Sequence, residues 1–149
     1  LYSSAASDVY KRQVWPYGET DPLPRYLESL RTIAGLDIEL VLPAHHDVYH
    51  AGVKRAHGLV AHHQKALRKF MARLGAGGMN ATELGYAVYG AQSDPLHAYL
   101  AMGETLAHLL WLERSGYARR DETPAVTRWY PVTAADGEPT LTLSGDMSR

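Results

Sequence analysis

Cysteine is absent from the whole sequence, and that one absence removes three kinds of chemistry. Without thiols there is no disulfide framework, no thiolate metal site and no cysteine nucleophile. The same lack suits a cytoplasmic location, where disulfides are rare. No apolar run approaches the roughly 20 residues that a membrane-spanning helix needs. Nor does charge of one sign dominate: the formal net charge is −1, which gives no global pull towards nucleic acid or an anionic membrane. Phosphate-cradling loops are missing too. The cluster Gly75, Gly77 and Gly78 follows a helical pattern, not a strand, and no Lys-Ser/Thr comes after it.

What is present is enough for a folded core. Hydrophobic residues make up 46% of the 149 positions and charged residues 21%, a globular balance. Eight histidines stand against one phenylalanine, so each histidine needs an individual reading. Residues 1–13, LYSSAASDVYKRQ, show neither helical nor strand periodicity and are too weakly apolar for a secretory signal. They are read as a non-native leader resembling adaptor or cloning sequence. Residues 133–149, rich in Gly, Asp, Ser and Thr, read as a flexible tail.

Between these ends the pattern is mostly helical with short strands. Asp21 is placed to cap a helix and Pro22 suits its first position, where a missing N–H costs nothing. Tyr26, Leu27, Leu30, Ile33 and Ala34 give that helix one apolar face, and Gly35 stops it. The aliphatic run 38–42 predicts a strand, ended by Pro43 and followed by a loop with Ala44, His45, His46 and Asp47. In α/β proteins the C-terminal end of a strand is where ligands and catalytic groups collect.

From Gly52 the period changes. Val53, Ala56, Leu59, Val60, His63, Leu67, Phe70, Met71 and Leu74 recur at near-helical spacing, with cationic residues on much of the remaining surface. Asn80 with Glu83 three residues on reads as a capping box, and Gly90 closes that short helix. Asp94-Pro95 opens a third helix, whose stripe is Leu96, Tyr99, Leu100, Leu106, Leu109 and Leu110. Two short strands, 117–120 and 126–130, flank the turn-prone Asp121-Glu122-Thr123-Pro124. Three helices and a hairpin are a winged-helix arrangement, with Leu84, Leu100, Leu106, Leu109 and Trp129 expected inside.

Most histidines receive a structural reading. His62 and His63 are adjacent and point to different faces, while His57 with His62 and His46 with His50 lack an HExxH context. His108 is expected to make a packing contact and the leucine stripe beside it to be core.

Several segments resemble a known family. Asp21-Pro22-Leu23 with Tyr26-Leu27-Glu28-Ser29-Leu30, then Leu40-Val41-Leu42-Pro43-Ala44-His45, resembles the C-terminal end of the metallo-β-lactamase superfamily. His62-His63 with Leu67, Gly103-Glu104 with Ala107-His108-Leu109, and Trp129-Tyr130 resemble the winged-helix extension of its glyoxalase II-like and β-lactamase-like hydrolases. Val14-Trp15-Pro16 is similar to a stretch just upstream in bacterial members.

The resemblance covers residues 14–132. It implies a truncated C-terminal end of an αββα metallo-β-lactamase fold over 14–52 and a winged-helix-like domain over 53–132. It also implies a parent hydrolase holding two metal ions, usually zinc, through an HxHxDH motif, a further His, a bridging Asp and a final His in a Pro-Gly-His-Gly-like turn. Pro43-Ala44-His45-His46 matches that turn, so the resemblance makes His45 a metal ligand; Ala44 and His46 replace its glycines.

No HxHxDH occurs in the sequence, and one histidine cannot hold a binuclear site. The chain alone is therefore expected to be inactive and to hold no zinc tightly. In the parent, a metal-bound hydroxide would attack an ester, thioester or related bond of a small-molecule substrate. The alternative functions are a winged-helix DNA binder or a protein-interaction module. The first is disfavoured because the third helix offers His97, Glu104, Thr105, His108, Glu113 and Arg114 outside its stripe, which is not a basic face. The expectation is thus no nucleic acid and no membrane as partner.

Overall fold

The computed structural model describes residues 21–44, 47–123, 125–132 and 139. The leader 1–13, His45 and the tail beyond 132, Pro139 excepted, lie outside the described residues. Among the described residues, four helices and one hairpin make up the regular structure: α1 (Pro22–Ala34), α2 (Gly52–Arg73), α3 (Ala81–Tyr89), α4 (Pro95–Arg114), β1 (Ala118–Asp121) and β2 (Arg128–Pro131). Among the described residues no helix is long and apolar enough to cross a membrane.

The helix boundaries follow local chemistry at most ends. Asn80 accepts the backbone N–H of Glu83 at 2.9 Å, and Glu83 accepts that of Asn80 at 3.0 Å, so the predicted capping box of α3 is formed. Asp94 accepts the N–H of Leu96 at 2.7 Å and opens α4, which runs unbroken through Gly103. Asp21 behaves differently from expectation. It occupies the N-cap position of α1 but makes no side-chain capping bond. Its carboxylate instead turns to Arg114, a partner 93 residues away that only the folded chain brings near.

One expected strand does not form. Residues 38–42 are irregular, and only Val41 pairs, in an isolated antiparallel bridge to Tyr49. A single strand leaves both rows of its backbone groups without partners, and no sheet lies beside it among the described residues. The Val41–Tyr49 bridge, with backbone bonds of 2.8 and 3.2 Å, closes a loop around the Pro43-Ala44 turn. This segment crosses the start of α2 closely: a Cβ at Gly52 would lie 2.9 Å from Val41 and 3.0 Å from Ile38.

The core is shared by all four helices. Leu23, Leu27 and Leu30 of α1 meet Ala56, Val60, Leu67 and Phe70 of α2, with Leu84 of α3 and Leu109 and Leu112 of α4 in the same cluster. Burial of each such leucine or phenylalanine side chain is worth about 1.5–3 kcal/mol. Of the residues expected inside, Leu84, Leu109 and Trp129 are buried, while Leu100 and Leu106 are half-buried. The first turns of α4 depart further from the expected stripe, because Leu96 and Tyr99 are exposed.

The hairpin pairs β1 and β2 antiparallel, Arg119 opposite Tyr130 and Arg120 opposite Trp129. It is tied to the helices twice. Met79 and Trp129 exchange backbone bonds of 2.9 and 2.8 Å, and the Trp129 indole donates to Glu113 of α4 at 3.0 Å. Gly78 (φ +73°) must be glycine here, since a Cβ would fall 2.5 Å from the Tyr130 ring.

Candidate functional site

Two helices bring three ligating side chains into the core. Glu104 and His108 are four residues apart on α4, so they project from one face of that helix. His63 projects from the buried side of α2 towards them. One nitrogen of each histidine and one carboxylate oxygen of Glu104 lie within 4.8 Å of one another. Burial is near complete: His63 and His108 are 0% exposed and Glu104 6%.

Hydrogen bonding sets the state of the pair. His108 Nδ1 lies 2.7 Å from the Glu104 carbonyl oxygen, which can only accept, so Nδ1 carries the proton. In the neutral ring Nε2 is then bare, and it lies 3.1 Å from His63 Nδ1, which donates to it. That leaves His63 Nε2 as a buried lone pair with no hydrogen-bond partner among the described residues. Glu104 Oε1 has none either, although His62 Nε2 lies 3.8 Å from it on the solvent side. The buried Tyr89 hydroxyl points at the same carboxylate and interacts with it at longer than ordinary hydrogen-bond geometry.

The packing explains the electrostatics. His63 stacks on His108 with ring centres 5.2 Å apart, Phe70 covers the far side of His108 at 5.1 Å, and Tyr26 meets His63 edge-on. Burial lowers the His63 pKa to about 3, helped by repulsion from His108 and His62 were they charged. Burial likewise lowers His108, against the opposing hydrogen bond and charge of Glu104. Burial pushes the Tyr89 hydroxyl far up, and the neighbouring Glu104 charge adds to that. Both imidazoles are thus neutral near neutral pH, the form that binds metals.

Sequence reasoning placed the site elsewhere. His45 lies outside the described residues, so its geometry is not part of this picture. In the sequence alone His62, His63 and His108 read as packing or solvated residues, and Glu104 carries no role. The Glu104/His108 spacing was a visible signal, but nothing in one dimension pairs α4 with His63, 45 residues from His108.

The fold has close counterparts among solved structures. A beta-lactamase domain protein from Burkholderia ambifaria matches with TM-score 0.71 and 28% identity, over 80% of this chain and 37% of that one. A metallo-beta-lactamase family protein from Thermus thermophilus matches with TM-score 0.68 and 30% identity, over 80% of this chain and 36% of that one. The chain therefore spans little more than a third of the length of these structures. No protein-family model matches the chain, and no curated protein does.

Proposed function

From a chain that belongs to the metallo-β-lactamase superfamily and matches its C-terminal part, we infer a role as one portion of a metal-dependent hydrolase. The observation that carries this reading is the fold match over 80% of the chain at 28–30% identity. The parent would be cytoplasmic, with a pair of zinc ions acting on an ester, thioester or related bond in a small molecule. Residues 53–132 would form its winged-helix-like domain, a reading supported by the order helix, helix, helix, hairpin. Residues 14–52 would complete the catalytic domain, and His45 would supply one ligand.

The residues present do not by themselves fit a binuclear hydrolytic centre. Such a centre needs several ligands around each ion and an open position for water and substrate. The one described ligand cluster, His63, Glu104 and His108, is sealed in the core and leaves no room for a substrate. No catalytic step is assigned to it. Exposed apolar residues on the 36–48 segment support the partial-domain reading. Leu40, Leu42 (68% exposed) and Val48 face solvent where a neighbouring sheet would cover them.

The test is made on the protein that includes sequence upstream of Val14. His45→Ala should remove one of two bound ions and lower turnover of a panel of thioesters, lactones and phosphodiesters by more than about a hundredfold, beyond the effect of losing a supporting residue. Retention of both metals and full turnover would take His45 out of the site. Absence of hydrolysis by the unsubstituted protein across the panel would remove the enzymatic reading.

A further inference from the structure

We propose that His63, Glu104 and His108 form a cation site for a zinc-type divalent ion, which staples α4 to α2. The inference does not rest on the hydrolase reading, because every residue in it belongs to the two helices described above.

The donor set suits such an ion. Two neutral imidazoles and a carboxylate are nitrogen and oxygen ligands of the kind zinc accepts, and no thiolate is needed. The geometry is close to what coordination requires. With metal–ligand bonds of about 2.0–2.1 Å, the edge of a tetrahedron is about 3.4 Å. His63 Nδ1 and His108 Nε2 are already 3.1 Å apart, and the three donors lie within 4.8 Å of one another. Gathering them means closing separations of at most 4.8 Å to that edge, a side-chain movement.

Two further features favour a cation over a purely hydrogen-bonded cluster. Buried carboxylates are normally paired or bound to metal, yet Glu104 Oε1 has only the looser approach of the Tyr89 hydroxyl and no well-formed hydrogen bond among the described residues. For His63 Nδ1 to ligate, the ring proton moves from Nδ1 to Nε2, the tautomer opposite to that of the metal-free pair. His108 is also supported from behind, as metal-binding histidines usually are: its Nδ1–H is held by the Glu104 carbonyl at 2.7 Å, which aims Nε2 into the cluster. His62 completes the arrangement. Its side chain is 42% exposed and its Nε2 stands 3.8 Å from Glu104 Oε1, which puts an imidazole on the solvent side of the carboxylate.

An ion held here would bridge two helices that already meet through the His63–His108 hydrogen bond, and its binding energy would become folding energy. For one ion, this proposal departs from the expectation from sequence that the chain holds no zinc tightly, and the zinc titration decides between them.

The experiment is a zinc titration of the chelator-stripped 149-residue chain by calorimetry, with metal analysis after desalting. The expected result is one retained ion per chain and a thermal midpoint that rises with zinc concentration. Cobalt substitution should give the visible bands of a low-coordinate nitrogen and oxygen site. Glu104→Gln and His108→Gln, with helicity checked by circular dichroism, should each weaken binding by more than about a hundredfold. His57→Ala combined with His97→Ala, which removes two exposed histidines, should leave binding unchanged.

Failure of the unsubstituted chain to retain zinc, or a cobalt spectrum of the hydrated ion only, overturns the proposal even if the variants do not fold. Retention that survives Glu104→Gln, or that disappears with His57 and His97, assigns the ion to the surface and overturns it as well.

Discussion

Arg114 in the last turn of α4 donates to Asp21 at the entry to α1, Nη1 to Oδ2 at 3.3 Å. The pair joins two helix ends of complementary polarity: a carboxylate at an N-terminus and a guanidinium at a C-terminus both oppose the local helix dipole. Asp21 is buried and Arg114 largely exposed, so the aspartate bears the desolvation. Its second oxygen has no hydrogen-bond partner among the described residues, and burial raises its pKa despite the pull of Arg114.

Loss of Arg114 should therefore cost more than an ordinary surface ion pair. Arg114→Ala is expected to destabilise the chain by about 1–3 kcal/mol near neutral pH, because it leaves a buried carboxylate unpaired. Asp21→Asn should cost less. A raised carboxyl pKa means that stability is fully present below the unfolded value and falls as pH rises through the folded one. The loss on raising the pH should be larger in Arg114→Ala than in the parent chain, as read from denaturant midpoints. Equal midpoints for the two proteins at every pH would show that the contact contributes nothing.

The histidine pair predicts the opposite slope. Free histidine titrates near 6.5, whereas His63 in the fold titrates at about 3 and His108 is also lowered. Between these values the unfolded chain binds more protons, so stability rises with pH across that window and falls as acid is added. Glu104 and His62 face the pair, with His62 Nε2 3.8 Å from the Glu104 carboxylate. Metal-free chain should show a melting temperature that drops steadily below about 6.5. His63→Gln should flatten that dependence while lowering the starting stability. An acid slope of the same steepness in the variant would place its origin in other groups.

The α3 cap gives a local prediction. Asn80→Ala removes an acceptor from the first turn and should cost about 1 kcal/mol by chemical denaturation. Glu83→Gln should cost less, because an amide oxygen can still accept from Asn80, but it loses the ion pair to Arg128 of the hairpin, Nη2 to Oε2 at 3.0 Å. Amide exchange should then accelerate at Met79 and Trp129, where β2 bonds to the chain entering α3. Exchange unchanged at both positions would mean that the hairpin is held without this cap.

Local chemistry alone determined most of the helical framework. Pro22, the Asn80/Glu83 box and the Asp94-Pro95 start each act within one turn of chain, so their effect was readable without knowing any distant neighbour. Glycines at positions 35 and 90 ended their helices for the same reason.

What depended on partners far along the chain was decided only by packing. The run 38–42 has the composition of a strand, but strand formation needs an adjacent strand, and in the described fold only Tyr49 answers Val41. Asp21 looked like a cap and became half of an ion pair, because folding delivered Arg114 to it. Likewise, His63 and His108 belong to separate helical repeats, and each alone reads as a histidine on an apolar face. The crossing of α2 and α4 sets them 3.1 Å apart beside Glu104, turning two packing residues into a candidate site; buried polar groups take their meaning from the neighbours that replace water.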